Sequence, residues 1–402
     1  MSLSTLAAKT TDVSVRGPAA CGSDIVWERG NVGTWEREND ELWYAGARRS
    51  EHSTYCMLTL HVTNGDAAAG GLARSGLPGD ILSWRDILHD GPVPFDGDRV
   101  AYRQTRAAFL ASRGWAAVDE AVVDFEDRDA RLDGVLPEHE VVLWFEPDLF
   151  DQLQLIQVLA RIAATPQATR ARVTIVPADL LLGPLLPEKF APLFANRRSI
   201  DASELQHGVN AWHAFTSADP LALMTMAEEL DRDVTARTYL ASDEVRLPYL
   251  ATSLRRVLEE YPDCRHGLSR SERQICEALA PGEITLGKLY RSSHESAESW
   301  VWMGDWSFAW YVQRLSDGVQ PLIVHGNGTR VVPPHRDRDA RLFWERTVML
   351  TPFGHDVVRE RANMVAANGI DRWIGGVHLT AEKHWCWDGT TGKVVKRGNW
   401  SS

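Results

Sequence analysis

The residues best suited to chemistry fall in three short polar runs, each directly behind an apolar segment. Asn64-Gly65-Asp66 follows LTLHVT. Arg85-Asp86, with His89 three residues on, follows DILSW. Glu146-Pro147-Asp148, with Asp151 close behind, follows EVVLWF. Brought to one edge, these runs would supply several carboxylates, one guanidinium, one imidazole and the amides of a glycine-containing turn. Carboxylates sharing a cleft suit Mg²⁺, which takes oxygen ligands and bridges to phosphate; Asp66, Glu146 and Asp148 could hold the ion. His89 could act as acid or base, because imidazole titrates near neutrality. Arg85 could stabilise transferred charge. The turn Thr63–Asp66 opens a helix, whose free N–H groups and dipole favour an anion. A phosphate or carboxylate on Gly65 would have Arg85 as a bidentate partner.

The expected function is therefore binding of a small anionic, phosphate- or nucleotide-like ligand. If the site is catalytic, the reaction class is metal-assisted hydrolysis or phosphoryl transfer. Asp66, His89 and Glu146 are the catalytic candidates; Asn64, Gly65, Arg85, Asp86, Asp148 and Asp151 are the ligand-binding ones. Each also has a plain structural reading. Asp66 could cap its helix, and Asp148 and Asp151 could stabilise a helix N-terminus by charge alone. Arg85 and Asp86 could pair with neighbouring loops, and His89 could fasten a turn. The set favours a ligand site, because acids stand behind all three strands.

The elements that must position these residues are legible from periodicity. LTLHVT (58–63), DILSW (80–84), EVVLWF (140–145) and RVTIV (172–176) read as short buried strands. Helical patterns stand between them: the small-residue run AAAGGLARSG, residues 99–113, FEDRDARLDGVL, and LFDQLQLIQVLARIAA with leucine or isoleucine at 149, 153, 156 and 159. Strands alternating with helices predict a mostly parallel sheet with right-handed crossovers. Ligands bind such sheets at the carboxyl ends of the strands, where strand order reverses.

Four regions follow: residues 1–56, a poorly ordered N-terminal extension with Met57 as a candidate start; 57–200, a Rossmann-like α/β module; 201–265, a helical connector; and 266–402, a winged-helix-like α+β module. In the last, Ser269 with Glu272 forms a capping-box pattern. Two further short helices, a strand pair over 322–332 and a strand-then-helix over RTVMLTPFGHDVVRERA come next. The tail reads as short strands with a turn at Asp388-Gly389.

His61-Val62-Thr63-Asn64-Gly65-Asp66, then Trp84-Arg85-Asp86-x-Leu88-His89-x-Gly91-Pro92, then Leu143-Trp144-Phe145-Glu146-x-Asp148-Leu149-x-Asp151-Gln152 resemble the bacterial family called domain of unknown function 1835. The resemblance covers about Met57 to the low 180s and implies an uncharacterised α/β module with no established activity. The tail Gly369-Ile370-Asp371-Arg372-Trp373-x-Gly375-Gly376-Val377-His378-Leu379 resembles the ending of such full-length proteins.

Composition excludes several classes. Hydrophobic content is 44% and charged content 24%, ordinary for a globular chain. A net charge of −12 disfavours nonspecific attraction to nucleic acid or anionic membrane. No apolar run approaches the roughly 20 residues of a spanning helix, and no signal peptide stands at the N-terminus. The five cysteines form no CxxC pair; this fits a reducing cytoplasm and argues against a disulfide framework or a cysteine zinc site. His378, His384 and Cys386 are close in sequence but lack a second cysteine pair. Trp385 and Trp387 fit one face of a strand. The G-x-G-x-x-G, P-loop and G-x-S-x-G motifs are absent.

The alternative function is a ligand-sensing regulator whose C-terminal module binds DNA or protein. For DNA the best phosphate-contacting candidates are Arg336, Arg338 and Arg341. The even balance of charge over 268–361 and the aromatic third helix favour a protein-packing role over a basic DNA footprint.

Overall fold

A computed structural model describes residues 58–397 except 96, 241–246, 335–339 and 383. The expected N-terminal extension, the Met57 start, Arg336 and Arg338 lie outside the described residues.

In the N-terminal half, β1 (Thr59–Asn64) runs directly into α1 (Gly65–Ser75), and β2 (Asp80–Trp84) follows. The helices α2 (Arg99–Ser112) and α3 (Val118–Asp133) lead to β3 (Glu140–Trp144), α4 (Leu149–Ala163) and β4 (Arg172–Ile175). A short α5 (Phe190–Ala195) precedes the two-residue edge strand β5 (Arg198–Ser199). The sheet order is β2-β1-β3-β4-β5. All pairings are parallel except β4 with β5. The chain leaves β1 for β2 on one side and returns to β3 on the other, so strand order reverses between β1 and β3.

Alternation along each strand divides the side chains between two faces. Leu60, Val62, Leu82, Trp84, Val141 and Leu143 join the larger core. Val142 and Trp144 face the other way and pack with Ala68, Leu72 and Phe190. Gly71 lies where an added Cβ would stand 2.7 Å from the Phe190 ring. The small residues of α1 thus permit the close approach that the sequence suggests. The buried indole of Trp84 and hydroxyl of Tyr102 are satisfied in a relay. Trp84 Nε1 donates to Gln157 at 2.8 Å, Gln157 Nε2 to Tyr102 Oη at 2.6 Å, and Tyr102 Oη to Asp86 at 3.1 Å.

Helices α6 (Ala202–Thr216), α7 (Pro220–Leu240) and α8 (Leu250–Leu258) make the connector. Next come α9 (Arg270–Leu279), β6 (Ile284–Thr285) and α10 (Leu286–Tyr290), the last continued by a π-helical turn at Arg291–Glu295. The expected Ser269–Glu272 capping box is present. After it stand α11 (Asp305–Ser316), β7 (Ile323–His325), α12 (Ala340–Glu345) and β8 (Thr347–Leu350). The strands form an antiparallel sheet of order β6-β8-β7. The chain ends with α13 (Pro352–Val358), α14 (Met364–Asn368) and two antiparallel pairs: β9 (Asp371–Ile374) with β10 (Val377–Thr380), and β11 (Trp385–Asp388) with β12 (Lys393–Lys396).

The two halves share one hydrophobic core, which runs from Leu60 to Val394. A buried ionic cluster ties the connector to the C-terminal half. Glu260 accepts from Arg256 at 2.7 Å, Ser271 Oγ at 2.6 Å, Tyr311 Oη at 3.1 Å and Arg372 at 3.0 Å. Burial alone would raise the Glu260 pKa; Arg256 and Arg372 more than reverse this and hold the carboxylate ionised. The β9–β10 turn docks on the N-terminal half, where Val93 N donates to Gly375 O at 2.9 Å.

One expectation from the cysteines is corrected. Cys264 and Cys386, 122 residues apart, form a disulfide. Their neighbours bring them together: Cys264 N donates to Trp387 O at 3.0 Å and Trp387 N to Pro262 O at 2.9 Å. Cys276 is a free, buried thiol.

Candidate ligand site at the strand-order reversal

The site lies where β1 and β3 end side by side, with Thr63 paired to Trp144. Gly65 takes φ 59° as the chain turns from strand to helix without a loop, a conformation that favours glycine. Asn64 stands at the N-cap of α1, but its side chain does not cap that helix. Its Nδ2 donates instead to Asp151 Oδ1, across the gap to α4. Asp151 Oδ2 accepts from Glu146 N at 2.6 Å, and Asp148 caps α4 by accepting from Asp151 N at 2.9 Å. The Glu146 side chain turns toward the segment after β4, where its Oε1 accepts from Leu182 N at 2.5 Å and Gly183 N at 3.1 Å.

Three carboxylates are therefore gathered at the start of α4. Burial, and then the charge of Glu146, push the Asp148 pKa well above the carboxylate range. Burial, Asp148 and Glu146 do the same to Asp151. In both, neighbouring acids repel one another where burial already disfavours charge.

A pocket of about 50 Å³ opens here. One wall is Asn64, Ala67 and Ala68, from the end of β1 and the first turn of α1. A second is Glu146 and Asp148. Leu181, Gly183 and Pro184 form the third, and the C-terminal half closes the pocket with Tyr290 and the 301–304 segment, including Trp302 and Met303. Trp302 is 2% exposed and its indole Nε1 has no hydrogen-bond partner. The segment that carries it is pinned by Met303 N donating to His294 Nε2 at 2.9 Å and by Tyr290 Oη donating to Met303 O at 2.8 Å.

No family model and no curated protein matches this chain.

Of the residues expected at the site, Asn64, Glu146 and Asp148 line the pocket, and Asp151 stands behind them. The others are placed elsewhere. Asp66 faces outward and pairs with Arg85 at 2.6 Å, and Arg85 also reaches Asp124 on α3 at 2.9 Å. Asp66 is thus neither a pocket residue nor the cap of α1, and Arg85 is turned away from any ligand. Asp86 is fully buried against Arg106 at 2.7 Å, and Arg106 further donates to the carbonyls of Ile87, Asp90 and Pro92. This pair holds the 86–92 loop and is closed to a ligand. His89 packs between Phe150, with ring centroids 5.4 Å apart, and Trp302, at 4.9 Å. Burial lowers its pKa to about 4, and neither ring nitrogen has a hydrogen-bond partner. It packs against the pocket residue Trp302, and its imidazole is uncharged at neutral pH.

The expected Mg²⁺ cage of Asp66, Glu146 and Asp148 is not assembled, because Asp66 is engaged outside the pocket. Among the described residues no group of three or more His, Cys, Asp or Glu side chains is arranged to hold a metal ion. That holds also for His378, His384 and Cys386, the last being in the disulfide.

Sequence reasoning missed the wall supplied by Tyr290, Trp302 and Met303. They lie in a stretch with no periodic signal that would link it to Asn64.

Proposed function

We propose that this chain binds a small polar ligand in the pocket between the carboxyl ends of β1 and β3. The observation that carries the reading is the pocket's position at the point of strand-order reversal, with Asn64, Glu146 and Asp148 converging on it. In this reading the N-terminal half is a Rossmann-like module, as its alternating strands and helices and mostly parallel sheet suggest. The α9–β6–α10–α11–β7–α12–β8 order, with the β6-β8-β7 sheet, supports a winged-helix-like C-terminal half, with α12 set between the last two strands.

The lining changes the expected ligand. Two acids face the space, no Arg or Lys among the described residues lines it, and Arg85 is neutralised by Asp66 and Asp124. A phosphate would meet repulsion there; a ligand that donates hydrogen bonds or carries positive charge would not. Binding, without hydrolysis or phosphoryl transfer, is the function that this geometry supports best.

The test is saturation-transfer NMR with a library of small polar compounds on wild type and on Ala67→Leu. Ala67 is exposed on α1 yet borders the pocket, so a larger side chain there reduces the space for a ligand. Compounds should bind wild type and lose binding in the variant. Equal binding to both proteins would defeat the reading.

A second reading, ligand sensing coupled to a partner protein, is favoured by one observation: the C-terminal half supplies part of the pocket wall. A direct DNA role draws less support. Most of α11 is buried, including Phe308, Tyr311 and Val312, and its Arg314 is held by Glu272 at 2.8 Å. Arg341 pairs with Glu345 at 3.0 Å.

A further inference from the structure

The pocket has two chemically opposite ends. On one side stand Glu146 and Asp148, with Asp151 behind them. On the other side is the N-terminus of α1, an 11-residue helix whose N-cap side chain is spent on Asp151 instead of on the helix. Ala67, in the first turn of that helix, lines the space. A helix start left without a side-chain cap favours a hydrogen-bond acceptor or an anion. Independently, Trp302 lines the same space almost wholly buried, with an indole N–H that meets no acceptor. A buried donor without a partner is costly, and its presence signals a group that completes it.

Resting on the reading of this pocket as a ligand site, we propose that its occupant is a small zwitterion: an ammonium group against Glu146 and Asp148, and a carboxylate against the α1 N-terminus and the Trp302 indole N–H. This is the chemistry of the smallest α-amino acids. Size agrees. About 50 Å³ suits a small group of a few non-hydrogen atoms, the scale of the smallest amino acids. The apolar remainder of the lining, Ala68, Leu181 and Met303, suits a short aliphatic side chain.

The electrostatics fit as well. Burial and the charge of Glu146 resist ionisation of the Asp148 carboxyl; an ammonium beside it would favour the ionised form and be held by it. A lone anion would lack any compensation for those acids. A lone cation would leave the Trp302 donor and the helix end unanswered.

The experiment is isothermal titration calorimetry of the full chain near neutral pH with glycine, L-alanine, acetate and methylammonium as separate probes. Wild type should bind glycine or alanine, and acetate and methylammonium should each bind roughly tenfold or more weakly, since each loses one charge-assisted set of hydrogen bonds. Asp148→Asn, which keeps a capping oxygen for α4, and Trp302→Phe should each weaken amino-acid binding by roughly tenfold or more while circular dichroism stays that of wild type. Ala67→Leu provides a further variant, at an exposed position, that should abolish binding without a fold defect. Acetate binding as tightly as glycine would make this an anion site, and methylammonium doing so would make it a cation site; either overturns the inference. If neither amino acid binds, but other small polar compounds bind wild type and not Ala67→Leu, the inference falls and the ligand reading stands. If nothing binds, both fall.

Discussion

Asn64, the last residue of β1, donates its side-chain amide to the Asp151 carboxylate in the first turn of α4. This one hydrogen bond joins the two strand ends that border the pocket, and it explains why α1 begins without a side-chain cap. Replacing Asn64 by Leu should leave Asp151 buried with one donor fewer. The expected cost is about 1–3 kcal/mol in urea unfolding, together with loss of ligand binding. Unchanged stability would show that the bond is dispensable to the fold.

Asp148 should trade stability for the site. Its folded pKa is raised by burial and by Glu146, so the folded state keeps a proton that the unfolded chain has already released. The group's contribution is fully present below the unfolded value of about 3.9 and is lost as pH rises through the folded one. Asp148→Asn should therefore gain stability over wild type at pH 8, on the order of 1 kcal/mol, and gain none near pH 3. Urea unfolding at both pH values checks this; a loss at pH 8 would mean that the ionised carboxylate stabilises the fold.

His89 carries the opposite sign. Its pKa of about 4 lies below the ordinary 6.5. Between these values the unfolded chain binds a proton that the folded state refuses, so stability falls as pH drops. From pH 7 to pH 5 the loss should be about 2 kcal/mol from this residue. His294, lowered to about 3 by burial, adds in the same direction. His89→Phe, which keeps an aromatic ring between Phe150 and Trp302, should remove the His89 part. Equal slopes for wild type and variant would place His89 in a polar, hydrated setting instead.

The Arg106–Asp86 pair, fully buried on both sides, should behave as structure. Arg106→Met strands the Asp86 carboxylate and should cost about 3–5 kcal/mol in urea unfolding. Ligand binding by the remaining folded protein should be that of wild type. A stable variant that has lost binding would return Asp86 to the site.

The Cys264–Cys386 disulfide closes a loop over a sequence separation of 122. Alkylation without reduction, followed by digestion and mass spectrometry, should recover the two cysteines in one linked pair of peptides. Reduction should lower stability by about 5 kcal/mol. Recovery of both as alkylated thiols would contradict the pairing.

Much of this arrangement is legible in the chain. Strands one to four follow from short apolar runs between polar ones, and α4 from its helical pattern. Asn64, Glu146 and Asp148 follow from the rule that ligands gather where parallel strands end. The positions of Asp66, Arg85 and Asp86 do not follow, because their partners Asp124 and Arg106 sit on α3 and α2, and only packing decides which guanidinium meets which acid. Trp302 lies far along the chain in an irregular stretch, so no local pattern links it to Asn64. The disulfide is hidden for the same reason: cysteines 264 and 386 carry no spacing motif.

The central claim is that the pocket beside Trp302 takes a ligand. Its most direct test is the indole ¹⁵N–¹H NMR signal of Trp302, assigned with Trp302→Phe and followed as pooled small polar compounds are added. The indoles of Trp84 and Trp144 serve as internal references, since they already donate to Gln157 at 2.8 Å and to His61 at 3.0 Å. The account predicts that the Trp302 signal moves on binding while those two stay in place. A Trp302 signal that no compound moves would contradict it.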